Sequence, residues 1–344
     1  MTLLLAIETS CDETAAAVIE DGRVVRSNIV ASQAAMHAKY GGVFPEVASR
    51  MHIETITPVI REAMLQASAE WADLSAIAVT YGPGLPGSLL VGLNAAKGIA
   101  LARGLPLIGV NHLEGHVYSH WLKTQDAAAR GNGLAFPLLV LIVSGGHTEL
   151  ILMRDHLMYE KLGATLDDAS GEAFDKVARL LGLGYPGGPA IERVAASGDP
   201  TRFEFAMPKV DHEFAFSFSG VKTAVLRTVQ SYGSADARGE VPKRVPTPDL
   251  AASFQRAVVH QLVEKTIEAA RRYSVTEILL SGGVSANQLL RDVMQRRSHV
   301  PVRWPPMWLC TDNAAMIGAA AHVRFLAGQR DGWDLDVAPN LKLA

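Results

Sequence analysis

LLLAIETSCDETAAAVIED, residues 3–21, returns in outline as PLLVLIVSGGHTELILMRD, residues 137–155. At a constant offset Ser10 falls on Ser144, Thr14 on Thr148 and Asp21 on Asp155. Each copy reads as a buried apolar strand, a tight turn of small and hydroxyl residues, then a second strand. One such hairpin is ordinary. Two of them, heading two halves of one chain, predict paired domains whose turns face a shared cleft and hold a polar ligand.

Working outward, the first hairpin leads to a third strand near residues 23–29 and a helix over 45–69. A strand over 75–81 then runs into Gly82-Pro-Gly-Leu-Pro-Gly, which opens an Ala-rich helix over 88–102. A strand over 105–110 ends at Asn111-His-Leu-Glu-Gly-His, the start of the next helix. The second half repeats this plan with insertions. It has a strand over 276–280, the turn Ser281-Gly-Gly-Val-Ser-Ala-Asn, a helix over 288–297 and a strand near 300–304. Thr311-Asp-Asn then begins a last Ala-rich helix. The insertions comprise a helical region over 171–183, the Gly-rich turn Gly184-Tyr-Pro-Gly-Gly-Pro, and a charged loop over 231–249 without apolar periodicity. Hairpins followed by strand–turn–helix units predict an α/β protein with two duplicated mixed sheets flanked by helices. The expected lobes are 1–122 and 136–311, joined by a polar linker over 123–135. The final helix, about 312–328, is expected to pack back on the first lobe.

Composition narrows the function classes. The chain has 344 residues, 49% hydrophobic and 19% charged, enough for two substantial cores. Lys plus Arg is 32 against 35 Asp plus Glu, so any RNA contact has to be a local patch rather than a basic coat. The two cysteines, Cys11 and Cys310, form no disulfide framework and suit a reducing cytoplasm. The N-terminus lacks a basic region and its apolar run stops at Ile7, unlike a signal peptide, and no stretch is long enough to cross a bilayer. The expected location is the cytoplasm.

Chemistry concentrates in the turns. Ser144-Gly-Gly-His-Thr and Ser281-Gly-Gly-Val-Ser each close an apolar strand with two glycines, which lets successive backbone N–H groups converge on an anion. At Ser281 the turn is expected to open a helix whose N-terminal groups favour phosphate. Either turn alone reads as a tight turn and no more. Together, opposite the Ser10–Thr14 turn, they read as a nucleotide site. Asp12 stands where the second copy has Gly146, and is either a turn cap or a group acting through a metal or water.

His112 and His116 are spaced i, i+4, which on a helix puts both imidazoles on one face within reach of one metal ion. The pair alone is weak evidence. Asp312, at the matching helix start in the second half, completes a three-ligand set of His, His and Asp with open positions. Its alternative is a helix N-cap. A metallopeptidase fits poorly, because Glu114 lies two residues from each histidine and so points roughly 200° away from both.

The segments Glu8-Thr-Ser-Cys-Asp-Glu-Thr, Gly82-Pro-Gly-Leu-Pro-Gly-Ser-Leu, Asn111-His-Leu-Glu-Gly-His and Val143-Ser-Gly-Gly-His-Thr carry a resemblance. So do Gly171-Glu-Ala-Phe-Asp-Lys, Tyr185-Pro-Gly-Gly-Pro, Phe216-Ser-Phe-Ser-Gly-Val-Lys-Thr, Ser281-Gly-Gly-Val-Ser-Ala-Asn and Thr311-Asp-Asn-Ala-Ala-Met-Ile. In this order, from Leu3 to about Leu326, the chain resembles the bacterial tRNA N6-adenosine threonylcarbamoyltransferase catalytic subunits. The resemblance implies a two-lobed fold of the actin/hexokinase/Hsp70 (ASKHA) type. It implies transfer of threonylcarbamoyl from threonylcarbamoyl-AMP to N6 of adenosine 37, in tRNAs reading codons that begin with A. It carries an iron or zinc ion to His112, His116 and Asp312, with Mg²⁺ accompanying the nucleotide as a further option. Substrate contacts map to Ile142, Val143, Ser144, Gly145, Gly146, Asp175, Gly188 and Asn287, with Glu192 at a position that is usually Asp. Asp12 is assigned the catalytic part of steering the reacting amine or a bridging ion. The implied partners are tRNA, a paralogous non-catalytic ASKHA subunit and a small P-loop ATPase, with no membrane.

Two rivals share the fold. A small-molecule kinase would use the Gly turns equally well, but it needs Mg²⁺ on oxygen ligands rather than two imidazoles. A non-catalytic nucleotide-binding scaffold would have little use for a metal site.

Overall fold

In this computed structural model the described residues are 1–123, 133–206, 210, 212–233, 242 and 244–344. The first sheet contains β1 (Leu3–Glu8), β2 (Glu13–Glu20), β3 (Val24–Ser32), β4 (Ala76–Gly82) and β5 (Leu107–Asn111), in the order β3-β2-β1-β4-β5. The second contains β6 (Leu138–Val143), β7 (Thr148–Asp155), β8 (Met158–Ala164), β9 (Glu277–Ser281) and β10 (Val302–Arg303), in the order β10-β9-β6-β7-β8. Read from the opposite edge, the second order repeats the first. The duplication extends to register: Leu4 pairs with Ile19 and Leu138 with Met153, the same pairing at the offset of the sequence repeat. β1 and β6 each run antiparallel to the next strand and parallel to β4 or β9 on the other side. Central strands covered on both faces read as unbroken apolar runs, which is why LLLAI and LLVLIV carry no alternation.

The helices are α1 (Ala34–His37), α2 (Pro45–Gln66), α3 (Pro86–Arg103), α4 (His112–Tyr118), α5 (Ser170–Leu180), α6 (Gly187–Ala195), α7 (Ser219–Ser231), α8 (Thr247–Arg272), α9 (Gln288–Arg297), α10 (Met307–Cys310) and α11 (Ala314–Leu326). On the first sheet, side chains alternate between two layers. Leu3, Leu5, Ile7, Val18, Ile77 and Val79 form one core with Ile56, Ile60 and Met64 of α2 and Leu93 and Ala96 of α3. Ala6 and Ile19 point the other way, toward α11. That approach is close enough that a Cβ on Gly318 would stand 2.5 Å from Ile19 Cγ1.

The chain forms two compact units. Unit 1 holds Met1–Ala135, Asp155–Tyr159 and Trp304–Ala344; unit 2 holds Phe136–Arg154 and Glu160–Arg303. Chain after α11 also stays on unit 1. Ala338 N–H donates to Tyr81 O (2.8 Å), Gly84 N–H to Pro339 O (3.1 Å) and Asn111 Nδ2 to Lys342 O (3.2 Å).

The structure differs from the sequence expectations in unit 2. The turn read at residues 184–189 runs directly into α6, and the ends of the expected 231–249 loop are helical, in α7 and α8. Within that loop 234–241 and 243 lie outside the described residues, as do 124–132 of the expected linker. Ser281-Gly-Gly does not open a helix directly. A 3₁₀ turn over Gly283–Ala286 intervenes before α9.

Candidate functional site

The metal set begins with a cap. β5 ends at Asn111, whose Oδ1 accepts from Leu113 N–H (2.8 Å) and Glu114 N–H (3.4 Å), starting α4. Every residue of α4 is buried. Far along the chain Asn313, not Asp312, caps α11, with its Oδ1 accepting from Met316 N–H (3.0 Å). The capping role open to Asp312 in the sequence therefore belongs to its neighbour, and the Asp312 carboxylate turns to the histidines. His116 Nε2 lies 3.2 Å and His112 Nε2 3.5 Å from Asp312 Oδ1. One ligand atom from each of the three residues falls within 4.8 Å of the others.

Sequence reading missed Glu8, which stands behind His112. It ends β1 fully buried, with Oε2 3.0 Å from His112 Nδ1. Thr80 Oγ1 donates to the same oxygen (2.6 Å), Ser10 N–H donates to Oε1, and Ser10 Oγ lies 3.1 Å from His112 Nδ1. An acidic residue closing an otherwise apolar buried strand was the signal for it.

These contacts test the fit to a metal. A carboxylate can only accept, so His112 Nδ1 carries its proton toward Glu8 and Nε2 faces Asp312 with a lone pair. Lone pair and carboxylate repel unless a cation lies between them. Without a metal that cation is a proton: burial opposes it, but Asp312 and Glu8 hold the His112 imidazolium well above the usual histidine range. Asp312 is likewise held well below the carboxylate range, its burial outweighed by His112 and His116. Two imidazoles and one carboxylate, with a second carboxylate orienting a ring from behind, are the donor set and support that iron or zinc takes. The residues fit such an ion. Glu114 has no place there; its carboxylate accepts from Tyr159 Oη (2.8 Å) and from Arg324 Nε. Glu114 is therefore not placed as the base of a metallopeptidase.

The first turn is acidic and crowded. Burial, then Asp312, pushes the Asp12 carboxyl up. Burial and Asp12 push Glu13 up to about 8. Burial and Asp12 also push the Cys11 thiol well up, which leaves no thiolate nucleophile. The turn is pinned by His52, whose Nε2 donates to Cys11 O (2.9 Å) while Nδ1 accepts from Thr14 Oγ1 (2.7 Å).

The second turn is bare. Ser144 N–H donates to His147 O (2.8 Å) and His147 N–H to Ser144 Oγ (3.1 Å). Gly145 and Gly146 have ordinary φ angles, and a Cβ on either would meet nothing within 4 Å. The fold alone does not require glycine there; open space above the backbone is what a ligand approaching the N–H groups needs. Gly188, at the start of α6, is open in the same way. Gly282 differs: its φ is +86°, and a Cβ would stand 2.5 Å from Val143 O.

The other mapped residues in unit 2 also have parts within the fold. Ile142 and Val143 bury their side chains completely and offer only backbone. Asp175 Oδ1 accepts from Gly187 N–H (2.7 Å) at the start of α6. Asn287 caps α9 through Leu290 N–H (3.0 Å), and its Nδ2 donates to Gln255 Oε1 (2.9 Å). Glu192 accepts from Gln288 N–H (2.7 Å). At the α9 N-terminus, Gln288 and Leu290 N–H thus have side-chain acceptors within the protein.

The model of the family described as "TsaD: tRNA N6-adenosine threonylcarbamoyltransferase" matches residues 24–319. A tRNA N6-adenosine threonylcarbamoyltransferase of Thermomicrobium roseum is 53% identical over 99% of this chain and 97% of its own length. One from Dehalococcoides mccartyi is 52% identical over 99% of both chains. Among solved structures, HypF of T. kodakarensis superposes with a TM-score of 0.63 at 15% identity, over 95% of this chain and 48% of its own. Component A of the Acidaminococcus fermentans (R)-2-hydroxyglutaryl-CoA dehydratase gives 0.54 at 14% identity, over 96% of this chain and all of its own. These two likenesses show the ASKHA-type two-lobed α/β fold alone.

Proposed function

The chain belongs to the tRNA N6-adenosine threonylcarbamoyltransferase family, and on that premise we propose a reading of its site. The protein is a transferase that places a threonylcarbamoyl group on N6 of an adenosine in tRNA. The donor is threonylcarbamoyl-AMP and the acceptor is adenosine 37 of tRNAs reading codons that begin with A. The N6 nitrogen bonds to the carbamoyl carbon, the bond from that carbon to the phosphate oxygen breaks, AMP leaves with the electron pair, and N6 gives up a proton.

The observation that carries this reading is the assembled set of His112, His116 and Asp312 with Glu8 behind it. A small-molecule kinase has no use for two converging imidazoles. Bound there, iron or zinc supplies Lewis-acid polarisation of the carbamoyl carbonyl or a hold on the threonyl carboxylate. Glu8 keeps His112 in one tautomer and orientation. Ser144, Gly145, Gly146 and Gly188 present backbone to the adenylate, Ile142 and Val143 carry that turn, and Asp175 and Asn287 hold the neighbouring helix starts in place. Asp12, its carboxyl raised above the ordinary range by burial and by Asp312, steers the reacting amine or a bridging ion. The rest of the acceleration is alignment and charge stabilisation.

The working assembly includes a paralogous non-catalytic ASKHA subunit and a small P-loop ATPase, and the location is the cytoplasm, where the tRNA substrate is found. Among the described residues no helix is long and apolar enough to cross a membrane. To test the reading, the protein and its partners are incubated with threonylcarbamoyl-AMP and unmodified tRNA, and nucleosides are analysed by mass spectrometry. Modified adenosine is expected, and most of it is lost with His112→Ala. An unchanged yield in that variant removes the metal from the mechanism, and no product with the wild type removes the reaction.

A further inference from the structure

The three candidate ligands sit on two helices that meet late in the chain. α4 carries His112 and His116; Asp312 lies just before α11. A site tolerates little error in ligand placement, so the relation between these helices has to be fixed by something other than the ion. Glu114 lies two residues from each histidine on α4, and therefore on the side of the helix away from the ligands. It is fully buried, and a buried carboxylate without partners would be strongly destabilising. Its partners come from elsewhere: Arg324 Nε, near the far end of α11, and Tyr159 Oη (2.8 Å). Arg324 is itself oriented by Gln329, whose Oε1 accepts from Nη1 (2.7 Å).

A second, independent contact lies between the ion pair and the ligands. A Cβ added to Gly115 would stand 2.7 Å from Ile317 Cδ1 and 3.1 Å from Met316 Cγ. Residue 115 thus lets α4 pack directly on the Met316 and Ile317 side chains of α11, where a larger residue would push them away. α4 and α11 are held together at three levels: Asp312 to His116, Gly115 against Met316 and Ile317, and Glu114 to Arg324. The ion pair ties the end of α11 remote from Asp312 to the face of α4 remote from the histidines, adding to the packing of Gly318 on Ile19.

We infer that Glu114 and Arg324 are positioning residues for the metal set: their buried ion pair, on the side of α4 remote from the ligands, holds the α4–α11 spacing that brings Asp312 to His112 and His116. This rests on the reading of those three residues as metal ligands, and the test separates the two. Co²⁺ is titrated into metal-free protein, following both dissociation constant and visible ligand-field spectrum, with melting temperature recorded with and without Co²⁺. Glu114→Gln is expected to weaken Co²⁺ binding about tenfold, alter the spectrum and shrink the metal-induced rise in melting temperature. A merely structural role would lower melting equally with and without metal while leaving affinity and spectrum unchanged, and that result overturns the inference. Should Glu114→Gln fail to fold, the double variant Glu114→Leu with Arg324→Leu removes both charges together, a change buried pairs tolerate. Weakened binding is again expected; wild-type affinity and spectrum overturn the inference. If the wild type and His112→Ala bind Co²⁺ equally, the ligand assignment itself fails, and with it this inference.

Discussion

The turn at Ser10–Glu13 and the turn at Ser144–His147 occupy equivalent places in two hairpins of identical register, yet they are built oppositely. The first is crowded with carboxylates and tied to its neighbours by Glu8 and His52. The second carries two glycines with nothing above them. One frame carries acidic side chains at one copy and exposed glycine backbone at the other; on the reading proposed above, the first lies beside the candidate cation ligands and the second faces the adenylate. Duplication supplied the geometry, and the residues in four positions of each turn divided the chemistry.

The division can be broken most directly at Glu8. Glu8→Gln should reduce metal affinity by about 10- to 100-fold, read by equilibrium dialysis, because His112 loses the charge that fixes its ring. Unchanged affinity would mean that the first turn is acidic for another reason. At the second turn, Gly145→Ala places a Cβ where the ligand is expected, with no other atom of the protein within 4 Å of it. Affinity for a non-hydrolysable adenylate analogue should fall about tenfold, the scale of one lost charge-assisted hydrogen bond, with an unchanged melting temperature. A variant that binds normally would leave the turn without a ligand.

Gly282→Ala sharpens the contrast from the stability side. A positive φ and a Cβ 2.5 Å from Val143 O are expected to cost about 1–3 kcal/mol by denaturant titration. Gly145→Ala in the same sheet should cost almost nothing. The smallest effect belongs to Asp167, in a part of unit 2 without a counterpart in unit 1. Burial pushes its carboxyl up, but Ser217 Oγ, Phe218 N–H and Ser219 donate to it and hold it below the usual range. A depressed folded value stabilises above the unfolded one and is lost as pH falls through it. The stability advantage of wild type over Asp167→Asn should therefore be present near neutrality and fade in acid; an advantage that persists at low pH would assign it to packing.

Much of the frame was legible because it depends on local patterns. Apolar runs ending in Ser-Gly-Gly or Thr-Ser-Cys-Asp mark central strands meeting turns, and the i, i+4 histidines need only a helix to converge. What failed to show depends on contacts distant in sequence. Nothing near Asn287 reveals that Gln255 accepts from its amide nitrogen. Asp312 and Asn313 are a different case: they are adjacent and either can cap a helix, so the local sequence does not say which is released. The pairing of Glu114 with Arg324 spans 210 positions, and no periodicity reports it. The α6 helix hid for a different reason. Gly-Gly-Pro reads as a turn, whereas here it forms the first turn of the helix, where Pro is tolerated because its missing donor would have no partner.

Asp312 and α11 come from the far end of the chain, yet they complete a centre whose other members are all made by residue 116. During synthesis β1, β4, β5 and both histidines leave the ribosome long before the aspartate that joins them. A chain halted in between displays two imidazoles and a waiting Glu8, but lacks both the third donor and the helix that covers Ala6 and Ile19. On the metal reading proposed above, a product that stops before residue 312 carries only two of the three candidate ligands.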